Sequence, residues 1–345
     1  MAARIIAVDC PRAKLMSRLN TRYAALASTP AADCSLRART VRFAGALALG
    51  ALVTNTAVTA QPKTELPELL RLASSYVDAF QRDFRRTIAQ EEYVQERMLP
   101  QSSQRRTIRS EVGSVELQRG EPWIWVRNII DVDGRRVPDS ESRLQHALTD
   151  TSADAARTVR ALRDEGARFN VGGVYRNFND PTFALNFLDA TLQPRFKFNI
   201  DGHGKVGARE AVKISFQELQ TPTLVRNGNE DARSSGALWI SPVDGTVLRT
   251  RLTFTIREPV PASKGPVNVD DPDPLSTINT HAQIDVDYEL VGPINGWAPV
   301  RMRETYEQTI STPKQRGSFI ERITCTATYR QFQLYLTAGR ILPSS

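Results

Sequence analysis

The stretch Asp244-Gly-Thr-Val-Leu-Arg-Thr-Arg-Leu-Thr-Phe-Thr-Ile-Arg-Glu258 decides how this chain is read. Leu248, Thr250, Leu252, Phe254 and Ile256 fall on one side of an extended backbone. Arg249, Arg251, Thr253, Thr255 and Arg257 fall on the other. A period of two with one apolar and one charged face belongs to a half-buried strand. One packed face and one wet face is the behaviour of an antiparallel sheet. Asp244-Gly245 just before it is a hairpin turn signal.

The same alternation extends in both directions. Downstream, Thr280–Leu290 sets Ala282, Ile284, Val286 and Tyr288 opposite His281, Gln283, Asp285 and Asp287. Gly292–Trp297 reads as a turn into Ala298–Ile310, and Ser318–Leu336 follows. Upstream, Arg195–Ile200, Val206–Leu219 and Gly236–Ser241 are expected strands, with Asp201-Gly-His-Gly204 as a turn. Val112–Arg119 and Pro122–Val132 are two more, joined at Gly120-Glu121, and Asp133-Gly134 is a further turn. Many of these runs exceed the usual five or six residues, which suits a strongly curved sheet.

Helical spacing replaces alternation in two places. Thr64–Met98 reads as a helix from Leu66, Leu69, Leu70, Ala73, Val77, Phe80, Phe84 and Ile88, with a strand starting near Tyr93. Pro67 suits its first turn. Ser140–Arg168 is helical, with a break near Thr149–Ala153 and a stop at Gly166. Asp180-Pro181 opens a short buried segment, Thr182–Leu188. The expected fold class is α+β: a strongly curved antiparallel sheet, a half-barrel, with helices packed on its concave side.

The N-terminal sixty residues read differently. Phe43–Val58 is an apolar run behind Arg37, Arg39 and Arg42, and it leads into Val58-Thr59-Ala60. That order is a secretory signal with a cleavage site, which places the mature protein in the periplasm or outside a bacterial cell. About forty residues precede the run, so Met16 is an alternative start; an uncleaved anchor is the competing reading. Residues 1–60 hold eight basic and two acidic residues, leaving 45−8=37 against 38−2=36 in 61–345. The expected mature chain is therefore near neutral, and a nucleic-acid role is excluded, because phosphate binding needs a basic surplus. The expected organisation is a leader over 1–60 and one domain over 61–345 with a helical insert at about 138–192. No apolar run long enough to span a bilayer follows residue 60.

The remaining residues offer little chemistry. Of Cys10, Cys34 and Cys325, only Cys325 lies beyond the leader, in an alternating run that reads as a buried structural thiol. His146, His203 and His281 have no metal-ligand spacing. His281 shares a strand face with Asp285 and Asp287, but residues four apart on a strand lie roughly 13 Å apart, so a solvated face is expected. Asp270, Asp271 and Asp273 lack the glycine and bidentate glutamate of a calcium loop. No Gly-x-Ser-x-Gly elbow or phosphate-cradling loop occurs. No metal, no cofactor and no enzymatic activity are expected, with a hydrolase of unrecognised site left as an alternative.

Gly236-Ala-Leu-Trp-Ile-Ser-Pro-Val-Asp-Gly-Thr-Val-Leu-Arg249 resembles the Leu-Trp-Ile-Asp hairpin of the lipoprotein-carrier superfamily, the LolA-like and LppX-like periplasmic proteins. Asn179–Leu188 followed by Arg195-Phe-Lys-Phe198 resembles other exported bacterial proteins. The resemblance implies an incomplete barrel around helices, with an apolar cavity for acyl chains. The insert departs from the small carriers and is able to fill such a cavity instead of lidding it. Trp123, Trp125, Phe183, Phe187, Trp239, Phe254, Ile284 and Tyr288 are expected around the inner face, lining either a ligand cavity or a filled core. The implied partners are a lipid or lipoprotein, or a protein of the envelope. Binding or sensing an acyl chain is the first functional expectation; an envelope interaction module with a filled core is the second.

Overall fold

The computed structural model describes residues 65–84, 87–116, 123–140, 143–144, 153–172, 174, 176, 180–227, 230–260, 276–312, 315–336 and 340–341. The signal, the Gly120-Glu121 junction, His146 and the Asp270–Asp273 loop lie outside them. Every element described belongs to one compact unit.

Helix α1 spans Leu66–Phe84 and buries Leu69, Ala73, Val77, Phe80 and Phe84. Those positions recur at three and four residues and form one stripe. The helix stops well short of Met98. Strand β1 runs from Thr87 to Leu99, with Thr87, Ala89, Glu91, Tyr93 and Gln95 turned inward. Ile88 continues the helical spacing, and the buried Glu91 and Gln95 disguise the period of two.

Eight strands follow in the order of the sequence: β2 Ser102–Glu116, β3 Trp123–Val132, β4 Arg135–Arg136, β5 Phe196–Val206, β6 Arg209–Glu218, β7 Val225–Asn227, β8 Glu230–Ala232 and β9 Ser235–Ile240. The late meander is β10 Val247–Val260, β11 Ser276–Val291, β12 Gly296–Thr312, β13 Gln315–Leu336 and β14 Arg340–Ile341. Among the described residues, β7 pairs with β8, and the other strands form one twelve-stranded sheet. Its order is β4-β3-β2-β1-β13-β12-β11-β10-β9-β6-β5, with β14 on β13. β4 and β5 stand at opposite ends, so the sheet is open, as a curved half-barrel requires. Neighbouring strands along this path run antiparallel, as the alternation implied. The β5–β6 turn sits at Gly207 (φ +59°), not at Asp201–Gly204, and His203 pairs within the ladder opposite Val212.

The helices do not share a face. α1 joins the cluster containing Leu252, Phe254, Ile284 and Tyr288, which defines the packed face. Helix α2, Ala153–Arg168, buries Val159 and Leu162 with Val126 and Leu144. Along β3, Trp125 and Ile129 pack with the α1 cluster, and Val126 alternates with them. α2 therefore lies on the opposite face, which corrects the expectation that the helices gather on one side. The sequence signal is Trp123–Val126 and Ile129-Ile130, where apolar residues fall on both faces of the strand on either side of Arg127-Asn128. Gly166 lies inside α2, two residues before its end.

The Asp244-Gly245 hairpin turn also seats α1. Gly245 has φ +72°, and a Cβ there would lie 2.3 Å from the Leu72 carbonyl carbon. Only glycine lets the turn rest on the helix backbone at that distance.

Candidate functional site

The packed face divides into two halves. The apolar half is centred on β6, β9, β10 and β11 and reaches Trp125 of β3 and Tyr329 of β13. Phe80 of α1 stacks on Phe84 at 4.9 Å and meets Tyr288 edge-on at 6.3 Å. Phe84 stacks on Trp125 at 5.8 Å, and Trp125 meets Tyr329 edge-on at 6.0 Å. The 3-10 turn Phe183–Leu188 supplies Phe187, whose ring lies 4.7 Å from Phe196 and 5.2 Å from Phe216. Phe183 packs edge-on against Phe187 at 5.4 Å. The Tyr288 hydroxyl donates to the Pro181 carbonyl at 2.6 Å, and burial pushes its pKa well up.

The structure therefore brings Trp125, Phe183, Phe187, Phe254, Ile284 and Tyr288 into or against one cluster. Trp123 lies in β3 opposite Glu116, and its side chain is outside the described residues. Trp239 is placed otherwise. It pairs with Lys213 and Arg249, and both cations sit 5.8 Å from its ring, on the face away from α1. Leu238 and Ile240 take the inward positions of β9. A large aromatic residue reads as core in a sequence, yet the strand alternation fixes its side.

The polar half lies on β1, β12 and β13. Glu91 and Arg127 form a buried two-pronged ion pair, and the Arg127 guanidinium sits 4.7 Å from the Tyr93 ring. Burial works against the charge on Arg127, but Glu91 more than offsets it and holds its pKa up. Arg176 is buried too. It donates to the Gln95 side chain and to the Val171 carbonyl, and lies 5.5 Å from the Tyr306 ring. Gln95 in turn accepts from the Val171 amide at 2.9 Å.

Gln95, Cys325 and Glu304 face one another across three strands. The Tyr306 hydroxyl donates to one Glu304 oxygen. Among the described residues no group lies in hydrogen-bonding geometry to Oε1 of Glu304, and the Tyr93 hydroxyl is one of the neighbours that lower its pKa. Burial pushes the Glu304 pKa above its ordinary value, and Arg176 and Tyr306 pull it back only in part. Burial likewise pushes the Cys325 thiol up to about 12. Cys325 is therefore a protonated core residue, not a reactive thiolate.

Sequence reasoning finds Cys325 as a buried structural thiol but misses the buried charges around it. A signal for them exists: Glu304 is in phase with Met302 and Tyr306, and Glu91 with Tyr93 and Gln95. Carboxylates in phase with apolar positions mark buried charge.

The solvent face carries charge in pairs. Arg249 and Arg303 bond Asp287, Arg251 bonds Asp285, and Arg322 bonds Glu307. His281 meets the Thr255 hydroxyl through Nδ1 at 3.3 Å. Together these make the His281–Asp287 face an ion-pair ladder. A shallow hollow of about 440 Å³ opens on the same face between Lys213, Ser215, Arg251 and Thr253.

No family model and no curated protein matches the chain. Among solved structures, a DUF1329 family protein from Desulfovibrio piger aligns at 8% identity over 77% of this chain and 93% of that one, with a TM-score of 0.29. A domain from Vibrio parahaemolyticus named for outer membrane lipoprotein sorting aligns at 11% identity over 76% and 93%, with a TM-score of 0.30. The Pseudomonas aeruginosa MucA/MucB complex aligns at 14% identity over 76% and 99%, with a TM-score of 0.19. Among the described residues, no helix is long and apolar enough to cross a membrane.

Proposed function

We propose that this chain is an exported, non-enzymatic interaction protein of the bacterial cell envelope, with a core filled by its own helix. The secretory pattern at 43–58 supports export. The ring cluster of Phe80, Phe84, Trp125, Tyr288 and Tyr329 carries the filled-core reading. An acyl chain on that face would have to displace α1, which is locked by Gly245 below and by a Gln81–Asn186 hydrogen bond of 3.0 Å. The protonated, buried Cys325 and the arginine-paired Asp285 and Asp287 support a non-enzymatic role.

A second reading is acyl-chain binding or sensing, as in a lipid or lipoprotein carrier. Trp125 and Phe183 favour it, because both are only partly buried at the border of the cluster. Native mass spectrometry of the chain from Gln61, with lipid extraction, separates the two. The filled core gives a clean protein mass that persists after incubation with envelope lipids. One acyl species per chain overturns it in favour of the carrier, and cross-linking in cells then identifies the lipoprotein or envelope protein it meets.

A further inference from the structure

On the solvent face, Lys213, Trp239 and Arg249 form one row across β6, β9 and β10. The next row is Ser215, Ala237 and Arg251, and the one after it is Gln217, Ser235 and Thr253. Ser215, Ala237 and Ser235 are small, so the large side chains of the first row end in a step, and the hollow of about 440 Å³ lies beneath it. Asn199 and Asp201 of β5 line its far side. That volume falls within the range of small-ligand sites, about 300–1,000 Å³.

The lining charges are Lys213, Arg251 and Asp201, which sum to 2−1=+1. Arg251 donates to Asp285 through Nε at 2.7 Å, and its two terminal nitrogens make no hydrogen bond among the described residues. The Lys213 ammonium lies 3.7 Å from Asp201, beyond hydrogen-bond range. Oδ1 of Asp201 accepts from the Ser215 hydroxyl at 2.8 Å, and Oδ2 accepts no hydrogen bond among the described residues. The hollow therefore presents spare donors on both sides of β9 and a spare carboxylate oxygen on one.

We propose that this hollow binds a saccharide unit that carries one carboxylate. Lys213 and Arg251 meet that carboxylate from the two sides of Ala237, while Asp201 and the Asn199 amide pair with ring hydroxyls. Asp201 also sets the selectivity: it accepts from a hydroxyl but repels a compact dianion such as phosphate. Polar walls offer an acyl chain little to pack against. The site is open and its ion pairs are exposed, so the affinity is on the order of 1 mM. This inference rests on strand register and does not depend on the filled core or the envelope role.

Titration of the purified, nitrogen-15-labelled protein with galacturonate, followed by NMR, tests it. Saturating shifts are expected at the Ser215, Ala237 and Ser235 amides and at the Trp239 indole N–H, because Lys213 sits 5.8 Å from that ring. Galactose lacks the carboxylate and is expected to bind about fivefold more weakly. Lys213→Met and Arg251→Gln are each expected to weaken galacturonate by a similar factor and leave the shifts of the packed face unchanged. No saturating shift at the hollow, galactose binding as well as galacturonate, phosphate binding as well as galacturonate, or unchanged affinity in both folded variants overturns the proposal. Should neither variant fold, the wild-type contrast of galacturonate with galactose and phosphate decides. Tetragalacturonate identifies the source: tighter binding than the monomer assigns an acidic glycan, and equal binding a free sugar acid.

Discussion

The apolar half of the packed face meets α1 through rings and aliphatic chains, while the polar half meets Arg127 and Arg176 through charge and hydrogen bonds. Both halves are equally hidden: Tyr306 and Glu304 are as inaccessible as Leu252 and Ile284. They differ in what a single change does. Truncating an apolar side chain leaves a void, and the cost scales with the atoms removed. Removing one member of a polar pair strands the other, so the cost depends on what remains. Two like changes therefore add up in one half and cancel in the other.

The sharpest way to break that contrast is a cycle on Glu91 and Arg127. Arg127→Ala alone strands a buried carboxylate and is expected to cost about 3–5 kcal/mol in urea unfolding. Changing both, Glu91→Leu with Arg127→Met, is expected to recover most of the loss. A double variant as unstable as the single one would mean that the pair holds the half together as more than a charge-matched couple. Phe80→Ala probes the apolar half at a similar scale, about 3–5 kcal/mol. Adding Tyr288→Phe should bring a further loss, because the Pro181 carbonyl loses its donor.

Gly245→Ala tests the seat of α1. The positive φ and the close Leu72 backbone predict a loss of about 1–3 kcal/mol. The expected signature is faster hydrogen exchange in α1 with the meander unchanged. Alkaline titration tests the polar half from another side. The Cys325 thiol is raised from 9.0 to about 12, so the unfolded chain loses its proton first. Wild-type stability should decline between those values relative to Cys325→Ala, and no difference between the two curves would refute the burial argument. The smallest effect belongs to the solvent face. Arg251 is 46% exposed where it pairs with Asp285, so Arg251→Ala should cost under about 1 kcal/mol, less at high salt.

Several features are legible from the chain alone, and the reason is local. Alternation in Thr246–Glu258 and Thr280–Leu290 reports the two faces of a strand without reference to any partner. The Asp133-Gly134 turn has both residues at positive φ, as its side chains demand. The stripe Leu69, Ala73, Val77, Phe80 and Phe84 fixes which side of α1 is buried. The end of that helix is not legible, because Ile88 prolongs the stripe by chance.

Pairing across the sheet is not legible either, because its partners are distant in sequence. Arg127 finds Glu91 from 36 residues away, and Arg176 finds Gln95 from 81. A register shift between Val247 and Arg249 turns both Val247 and Leu248 inward and leaves Trp239 beside Arg249, outside. Nothing in Leu-Trp-Ile announces that shift. The sequence alone determined the strands of the late meander, the Asp133-Gly134 and Asp244-Gly245 turns and the apolar stripe of the first helix, since each is a property of neighbouring residues. Only the tertiary structure decided which carboxylates are buried, which face each helix covers and where Trp239 points. Those outcomes depend on which surfaces meet, and burial and charge compensation exist only once they have met.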